Sequence, residues 1–557
     1  MKKNLCLYMM AAAFLSGGLM SCNESDFLNL TDPNHFTEEN FWKNKADAES
    51  ALAAAYSPIK YQMNGYYGAF DGWLNLNSRG DDIFTILNEE PSMWDIATFQ
   101  NSPTTGNDPY GALFAGVQRA NIVLRYIDEI PASGISDEDR SMVKGEALFL
   151  RAYQYFLLVS NYKNVPLRLK PSNEEGTNIP SADEADVWTQ IEQDLKDAIS
   201  CNLPVTRQAS EKGRVEKGAA IAVLAKVYLA QHKYEAAKEQ LLLLIKPPYY
   251  GVRYKLMPNF ADNFTTAKEN NEESVFELQY SSDGDLTWGN ESGINLGSSL
   301  PQFVGPAVSG GWAKLMPSAF LVSEFTKEPR ASEKTEGGPD SKYDKRMYAS
   351  LFFTPSDLGD WVVDNDWYSS IYYGGNYTMD QLWNGNSAKM AGGAPIFVVP
   401  GVSGNLKFLL KKYTAYFVNS KTADSMADKE GKANNVRVMR FAEVLLMYAE
   451  ACAKTNDAGQ ANWALTEIRN RAGLPEKTFD LSNLMGEIEH QCLLEFFGEG
   501  HRFDDLKRWY TTAEIQMKFR DHQKQGAENF KEKHKYYPIP SGELNNNTAM
   551  KQNELWQ

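Results

Sequence analysis

Residues 440–454 read Arg-Phe-Ala-Glu-Val-Leu-Leu-Met-Tyr-Ala-Glu-Ala-Cys-Ala-Lys, and residues 460–472 read Gln-Ala-Asn-Trp-Ala-Leu-Thr-Glu-Ile-Arg-Asn-Arg-Ala. In the first stretch Phe441, Val444, Leu445, Tyr448 and Cys452 recur at three- and four-residue steps, which puts them on one face of a helix. In the second, Ala461, Ala464, Leu465 and Ile468 do the same. Two such stretches separated by a short break predict a pair of helices packed face to face, and the alanines let the two axes approach closely.

The same layout recurs upstream. Lys217 to Ala230 carries Leu224, Ala225 and Tyr228, and after a short loop Lys233 to Ile245 carries Tyr234, Ala237 and Leu241. This Ala/Tyr/Leu spacing resembles a tetratricopeptide helix hairpin. Gly145-Glu-Ala-Leu-Phe-Leu-Arg-Ala-Tyr-Gln-Tyr-Phe156 opens another helix, followed by Asp183 to Ser200 with Val187, Ile191, Leu195 and Ala198 on its stripe. The reading is a mainly α chain with helix pairs at about 145–200, 217–245, 437–472 and 487–510. Glu38 to Lys60 and Tyr110 to Ile130 are also periodic. Residues 61–109 between them hold many Gly, Asn, Asp and aromatic residues without a period, as a structured loop region does. From Ser281 to about Lys432 the chain turns rich in Gly, Ser, Asn, Asp, Trp and Tyr, and helical sequence resumes after it. That stretch reads as a loop-rich insertion into one domain, 38–557.

The N-terminus bears on location. Lys2 and Lys3, the apolar run Leu5 to Leu15 and Leu19-Met20-Ser21-Cys22 have a secretory signal layout over residues 1–21, with cysteine at the cleavage point. Cys22 is expected to be acylated, with residues 22–37 as a polar tether, because acyl chains hold a protein at a membrane by burying methylenes. Gly17 and Gly18 interrupt the apolar run below the ~20 residues that a spanning helix needs. Of 557 residues, 43% are hydrophobic, enough for a large core. The net charge is −16, or −18 without Lys2 and Lys3, which makes nucleic acid and anionic lipid poor partners. Beyond the signal and Cys22 only Cys201, Cys452 and Cys492 remain, far apart, so buried thiols are expected and neither a disulfide framework nor a zinc site. HExxH, GxSxG, Walker A and GxGxxG patterns are absent, and six scattered histidines make no metal set. No cofactor is expected.

An ordered set of motifs over almost the whole length resembles the SusD/RagB family of outer-membrane lipoproteins. It runs through Phe41-Trp42, Ala54-Ala55-Tyr56, the 145–156 helix, Val165-Pro-Leu167, Ile191-x-x-Asp194-Leu195, Leu203-Pro204, Gly213-Arg214, Gly218-Ala-Ala220 and Leu224-Ala-Lys-Val-Tyr-Leu229. It continues with Arg440 to Ala451, Ile468-Arg-x-Arg-Ala-Gly-Leu-Pro475, Glu495-Phe496-x-x-Glu499-Gly500-x-Arg502-x-Asp504-x-Leu506-x-Arg508-Trp509, Tyr537-Pro-Ile-Pro540 and Gln552-Asn553. Gly498 and His490-Gln491 depart from the usual pattern. The resemblance implies a SusD-like fold of four tetratricopeptide-like helix pairs with a large irregular ligand-binding insertion. It also implies a non-enzymatic lid on a SusC-like TonB-dependent outer-membrane transporter, binding oligo- or polysaccharide at the cell exterior.

Sugar rings offer an apolar C–H face and a hydroxyl rim, so a binder needs flat aromatics beside amide, carboxylate or guanidinium groups. Residues 71–94 supply Asp71, Trp73, Asn75, Asn77, Arg79, Asp81 and Trp94. The insertion supplies Trp288, Asn290, Trp312, Trp361, Trp367, Tyr372, Tyr373, Tyr377 and Trp383. The resemblance favours Trp73, Trp94, Trp288 and Trp312 as platforms, with Asp71, Arg79, Asp81 and Tyr372 around them. A peptide or glycopeptide lid of the RagB type is an alternative. An exported glycoside hydrolase is a weaker one, since Asp81-Asp82 and Glu89-Glu90 offer carboxylate pairs without a defined separation. The Glu499-Gly500-His501-Arg502 stretch is expected to cap and pair at a helix end, and Arg440 with Glu443 to form a local pair.

Overall fold

The computed structural model describes residues 41–61, 72, 75–85, 91–105, 109–281, 297–298, 300–305, 313–328, 343–352, 408–414 and 433–557. The signal, Cys22, the tether, Asp71, Trp73, Trp288, Trp312, Tyr372 and Glu89-Glu90 lie outside these residues.

Among the described residues nine helices form the frame: α1 Lys45–Tyr61, α2 Tyr110–Tyr126, α3 Asp137–Tyr162, α4 Glu184–Ser200, α5 Lys217–Ala230, α6 Tyr234–Leu244, α7 Phe441–Lys454, α8 Ala458–Ala472 and α9 Leu481–Phe496. From α1 to α8 each packs on the next, and α9 lies on both α7 and α8. That is the neighbour-to-neighbour logic of a helical repeat. Local chemistry sets the ends. The Ser136 hydroxyl accepts from the Asp139 N–H to cap α3, whose first turn holds three acids favourable to the helix dipole. Asp457 caps α8, which ends at the left-handed Gly473. At the centre of the stack α5 buries Gly218 through Ala225 and Val227 through Leu229, so it is enclosed almost all round.

The predicted pairs at 145–200, 217–245 and 437–472 correspond to α3/α4, α5/α6 and α7/α8. Two details differ from the sequence reading. Helices α1 and α2 pack on each other at the head of the stack; the long aperiodic stretch between them hid this partnership. At 487–510 the long α9 is followed by the eight-residue α10, Arg502–Trp509, so this end closes the stack without adding a hairpin of equal arms. Cys452 and Cys492 are buried as expected, Cys201 is half-buried, and all three are free thiols.

Among the described residues three short antiparallel ladders order the irregular segments: β1 Ile83–Thr85 with β3 Leu315–Pro317, β2 Ser274–Leu278 with β6 Val436–Arg440, and β4 Leu351–Phe352 with β5 Leu409–Leu410. In the second, Leu278 faces Val436, so the chain leaves and rejoins the scaffold at adjacent positions. Among the described residues no helix is long and apolar enough to cross a membrane.

Candidate functional site

The residues around α9, which carry the densest motifs, form a charged interior. Arg440 donates to Glu273 (2.6 Å), Glu495 (2.8 Å) and Glu499 (2.8 Å), Arg471 reaches Glu273 and Glu495, and Arg346 reaches Asp344, Glu495 and Gln491. Lys412 adds a bond to Glu499 at 2.8 Å. All these side chains are buried. Burial alone would raise the Glu495 carboxyl, but Arg471, Arg440 and Arg346 hold it far below the usual carboxylate range. The partners come from the start of β2, the end of β6, α8, α9 and the segments 343–352 and 408–414. The cluster therefore fastens the irregular segments to the helical stack.

This corrects two expectations. Arg440 and Glu443 do not pair with each other, since Glu443 binds Lys226 at 2.7 Å while Arg440 faces the cluster. Glu499 and Arg502 bind distant partners across the fold: Arg502, the first residue of α10, grips Asp81 through Nε at 2.6 Å and Glu489 at 3.0 Å. Gly498, the departure from the family pattern, has φ +73, a conformation glycine adopts without steric cost. The structural reading of the Glu499–Arg502 stretch stands, and its buried, mutually paired groups are arranged as braces.

The loop region beginning at Asn75 lies against the C-terminal helices. Phe99 stacks on Phe519 at 5.4 Å and meets Phe530 edge-on at 4.9 Å, forming with Phe503, Leu506, Ile515 and Ala527 a small core of its own. Two candidate residues are drawn into this interior. Arg79, 3% exposed, donates to Asn161 at 2.8 Å and lies between the rings of Phe503 and Tyr537. Asp81, 0% exposed, is bound by Arg502 and by His522 Nδ1 at 2.7 Å. Burial opposes its ionisation, but the Arg502 charge and the His522 bond keep the carboxyl well below the ordinary range. Its neighbour Asp82 is pushed the other way, up to about 7, by burial and then by the Asp81 charge. Among the described residues the Asp81-Asp82 doublet is thus an interior feature, with both side chains buried. Asn77 accepts from the Gly500 N–H at 2.9 Å, another brace.

Trp94 differs. It lies half-buried on the short helix Pro91–Ala97. The β1–β3 ladder pairs Thr85 with Leu315 and Ile83 with Pro317. It thereby joins the described segment leading toward Trp94 with the described segment that follows position 312 in sequence. Sequence reading did not foresee that Arg502, His522, Lys524 and Gln525 would anchor these loops. The partners lie more than 400 residues away along the chain, and no local pattern marks them.

Among the described residues, buried ion pairs brace the irregular segments on a stack of helices. The chain belongs to the SusD family, whose family model matches residues 272–556; a second model, described as starch-binding associating with outer membrane, matches residues 26–229. The starch-binding protein SusD of Bacteroides thetaiotaomicron is 24% identical over 447 residues, 76% of this chain and 74% of that protein. A SusD superfamily protein from Bacteroides vulgatus superposes with a TM-score of 0.74 at 26% identity, covering 93% of this chain and all of that one. A laminarin-binding SusD-like protein gives 0.70 at 25% identity, covering 92% of this chain and all of that one.

Proposed function

We propose that this protein is a glycan-binding lipoprotein of the cell surface, tethered through acylated Cys22, that captures an oligo- or polysaccharide and passes it to a SusC-like TonB-dependent transporter without making or breaking a bond. The observation that carries this reading is the β1–β3 ladder, which unites the loop bearing Trp94 with the loop following Trp312. Two relatives described as binding starch and laminarin support the ligand class. Trp73, Trp94, Trp288 and Trp312 provide the stacking faces, with Asp71 and Tyr372 as hydroxyl partners. Arg79 and Asp81 shape the loop from beneath and do not touch sugar.

The test is calorimetry of a polysaccharide panel that includes starch and laminarin, on a soluble form starting after Cys22. Saturable binding that is lost in Trp→Ala variants of unchanged melting temperature supports the reading. Binding of peptides and of no polysaccharide replaces it with a peptide lid. Labelling of the full chain with a fatty-acid analogue, abolished by Cys22→Ala, checks the tether.

A further inference from the structure

The turn that follows the helix Thr512–Asp521 does more than change the chain's direction. His522 ends that helix, Gln523 adopts a left-handed φ of +55, and the side chains of Lys524 and Gln525 enter the loop region. Lys524 Nζ donates to the Ser78 carbonyl at 2.8 Å, and burial lowers its ammonium to about 8. The Gln525 amide bonds both ways with the Thr85 backbone, accepting from the N–H and donating to the carbonyl at 2.9 Å each. Gly526, φ +72, packs so tightly that a Cβ there would lie 2.3 Å from the Thr98 carbonyl oxygen. The turn therefore meets the loop before β1, at the end of β1, and again beyond the Trp94 helix.

His522 contacts residues that flank both strands of the ladder. Its Nδ1 binds the Asp81 carboxylate, two residues before β1, while its ring lies flat on Phe320, with centroids 3.5 Å apart and planes 7° apart. Phe320 belongs to the helix Ala319–Thr326, three residues past β3. Next to it Ser318 binds the Asp81 carbonyl through Oγ at 2.7 Å and the Asp82 carbonyl through its N–H at 2.8 Å. A two-stranded ladder of three residues each is marginal alone. Its twist and slide depend on what holds its ends.

We propose that His522 is a positioning residue for the glycan face: wedged between Asp81 and Phe320, it fixes the orientation of the Trp94-bearing loop relative to the loop that follows Trp312. This rests on the glycan-binding reading. A stacking site tolerates little displacement of its platforms, so loosening the wedge weakens binding while the helical stack stays folded.

The experiment compares the parent with His522→Ala, His522→Gln, which retains an N–H donor for Asp81, and His522→Phe, which retains the ring on Phe320. Each is titrated with the polysaccharide the parent binds, and backbone hydrogen exchange is followed by mass spectrometry over 75–105 and 313–326. The expected result for His522→Ala is an affinity loss of tenfold or more with a melting temperature near the parent's. Exchange should rise in both segments and not in α5–α8, with Gln and Phe each restoring part of the affinity. Parental affinity with unchanged exchange overturns the inference, and so does a general rise in exchange across α5–α8. A parent that binds no polysaccharide defeats the glycan reading alone. Exchange then decides the wedge: a rise confined to the two segments supports it, and no rise overturns it.

Discussion

The two interiors of this molecule are built from different materials. Around α5 the stack is closed by Ala219, Ala220, Val223, Leu224, Val227 and Leu229, all buried and all apolar. Beneath the irregular segments the interior holds Arg346, Arg440, Arg471 and Lys412 against Glu273, Glu495 and Glu499, also buried. Apolar packing is strong but weakly directional, and helices can slide by a fraction of a turn at modest cost. A buried charge with a missing partner costs several kcal/mol, so a network of such charges admits essentially one arrangement. The difference teaches that the frame around α5 is held by apolar burial, with charge pairs such as Arg151–Asp194 at the α3–α4 contact, whereas the irregular segments, whose own sequences lack periodicity, depend on charge pairing to that frame.

The sharpest way to break this comparison is Glu495→Ala, which removes a carboxylate shared by three arginines. The expected loss is about 3–5 kcal/mol in urea unfolding, the range for truncating one partner of a buried ion pair. A loss below ~1 kcal/mol would mean that solvent relieves the cluster. In the apolar interior, Leu224→Ala should cost about 3 kcal/mol, as a core leucine cavity does, without altering exchange at the β1–β3 ladder; a response there would show that the two interiors are not independent. Trp94→Ala should change melting temperature little and lower polysaccharide affinity about 30-fold, on the order of 2 kcal/mol, as removal of a central aromatic does at binding hot spots. Calorimetry and a thermal scan on the same sample separate the two effects.

A further test is a slope with pH. Asp82 is pushed up to about 7, from 3.8, by burial and the Asp81 charge. Because the folded state binds this proton more tightly than the unfolded state, Asp82 lowers stability progressively between about pH 4 and pH 7, with the full loss present above 7. Asp82→Asn removes that slope, so the variant should gain on the parent as pH rises from 4 to 8. Denaturant midpoints at four pH values check the sign, and a variant that loses ground toward pH 8 contradicts it.

Much of the frame is legible in the sequence because its signal is local. The stripes Val187–Ile191–Leu195–Ala198 and Phe441–Val444–Leu445–Tyr448 each lie within one helix, and short loops dictate which helix packs on which. The braces are not legible because their partners are distant: Arg471 meets Glu273 across 198 positions, and His522 meets Asp81 across 441. Arg440 and Glu443 show how a local rule misleads. Their spacing allows a pair, yet Arg440 is the last residue of β6 and points at the cluster while Glu443 turns to Lys226. In the sequence Arg79 and Asp81 look like sugar partners because polar residues beside tryptophans suggest a site. Nothing in a single sequence distinguishes a polar residue that faces sugar from one that faces a buried arginine.

The β2–β6 ladder has a consequence for how such a protein acquires new ligands. Leu278 and Val436 are neighbours across that ladder, so the long stretch between them begins and ends at one point of the frame. Closing a longer or shorter loop between fixed anchors changes the entropy only logarithmically, by roughly 0.6 kcal/mol for each doubling of length. Parts of the stretch can therefore be lengthened or rewritten with the helical stack left unaltered, provided the incoming sequence retains the β3 pairing with β1, the Glu328 contact with Arg469, and the counterparts of Arg346 and Lys412 that dock on Glu495 and Glu499. Diversity of appetite on a common chassis follows from two adjacent hydrogen-bonded residues.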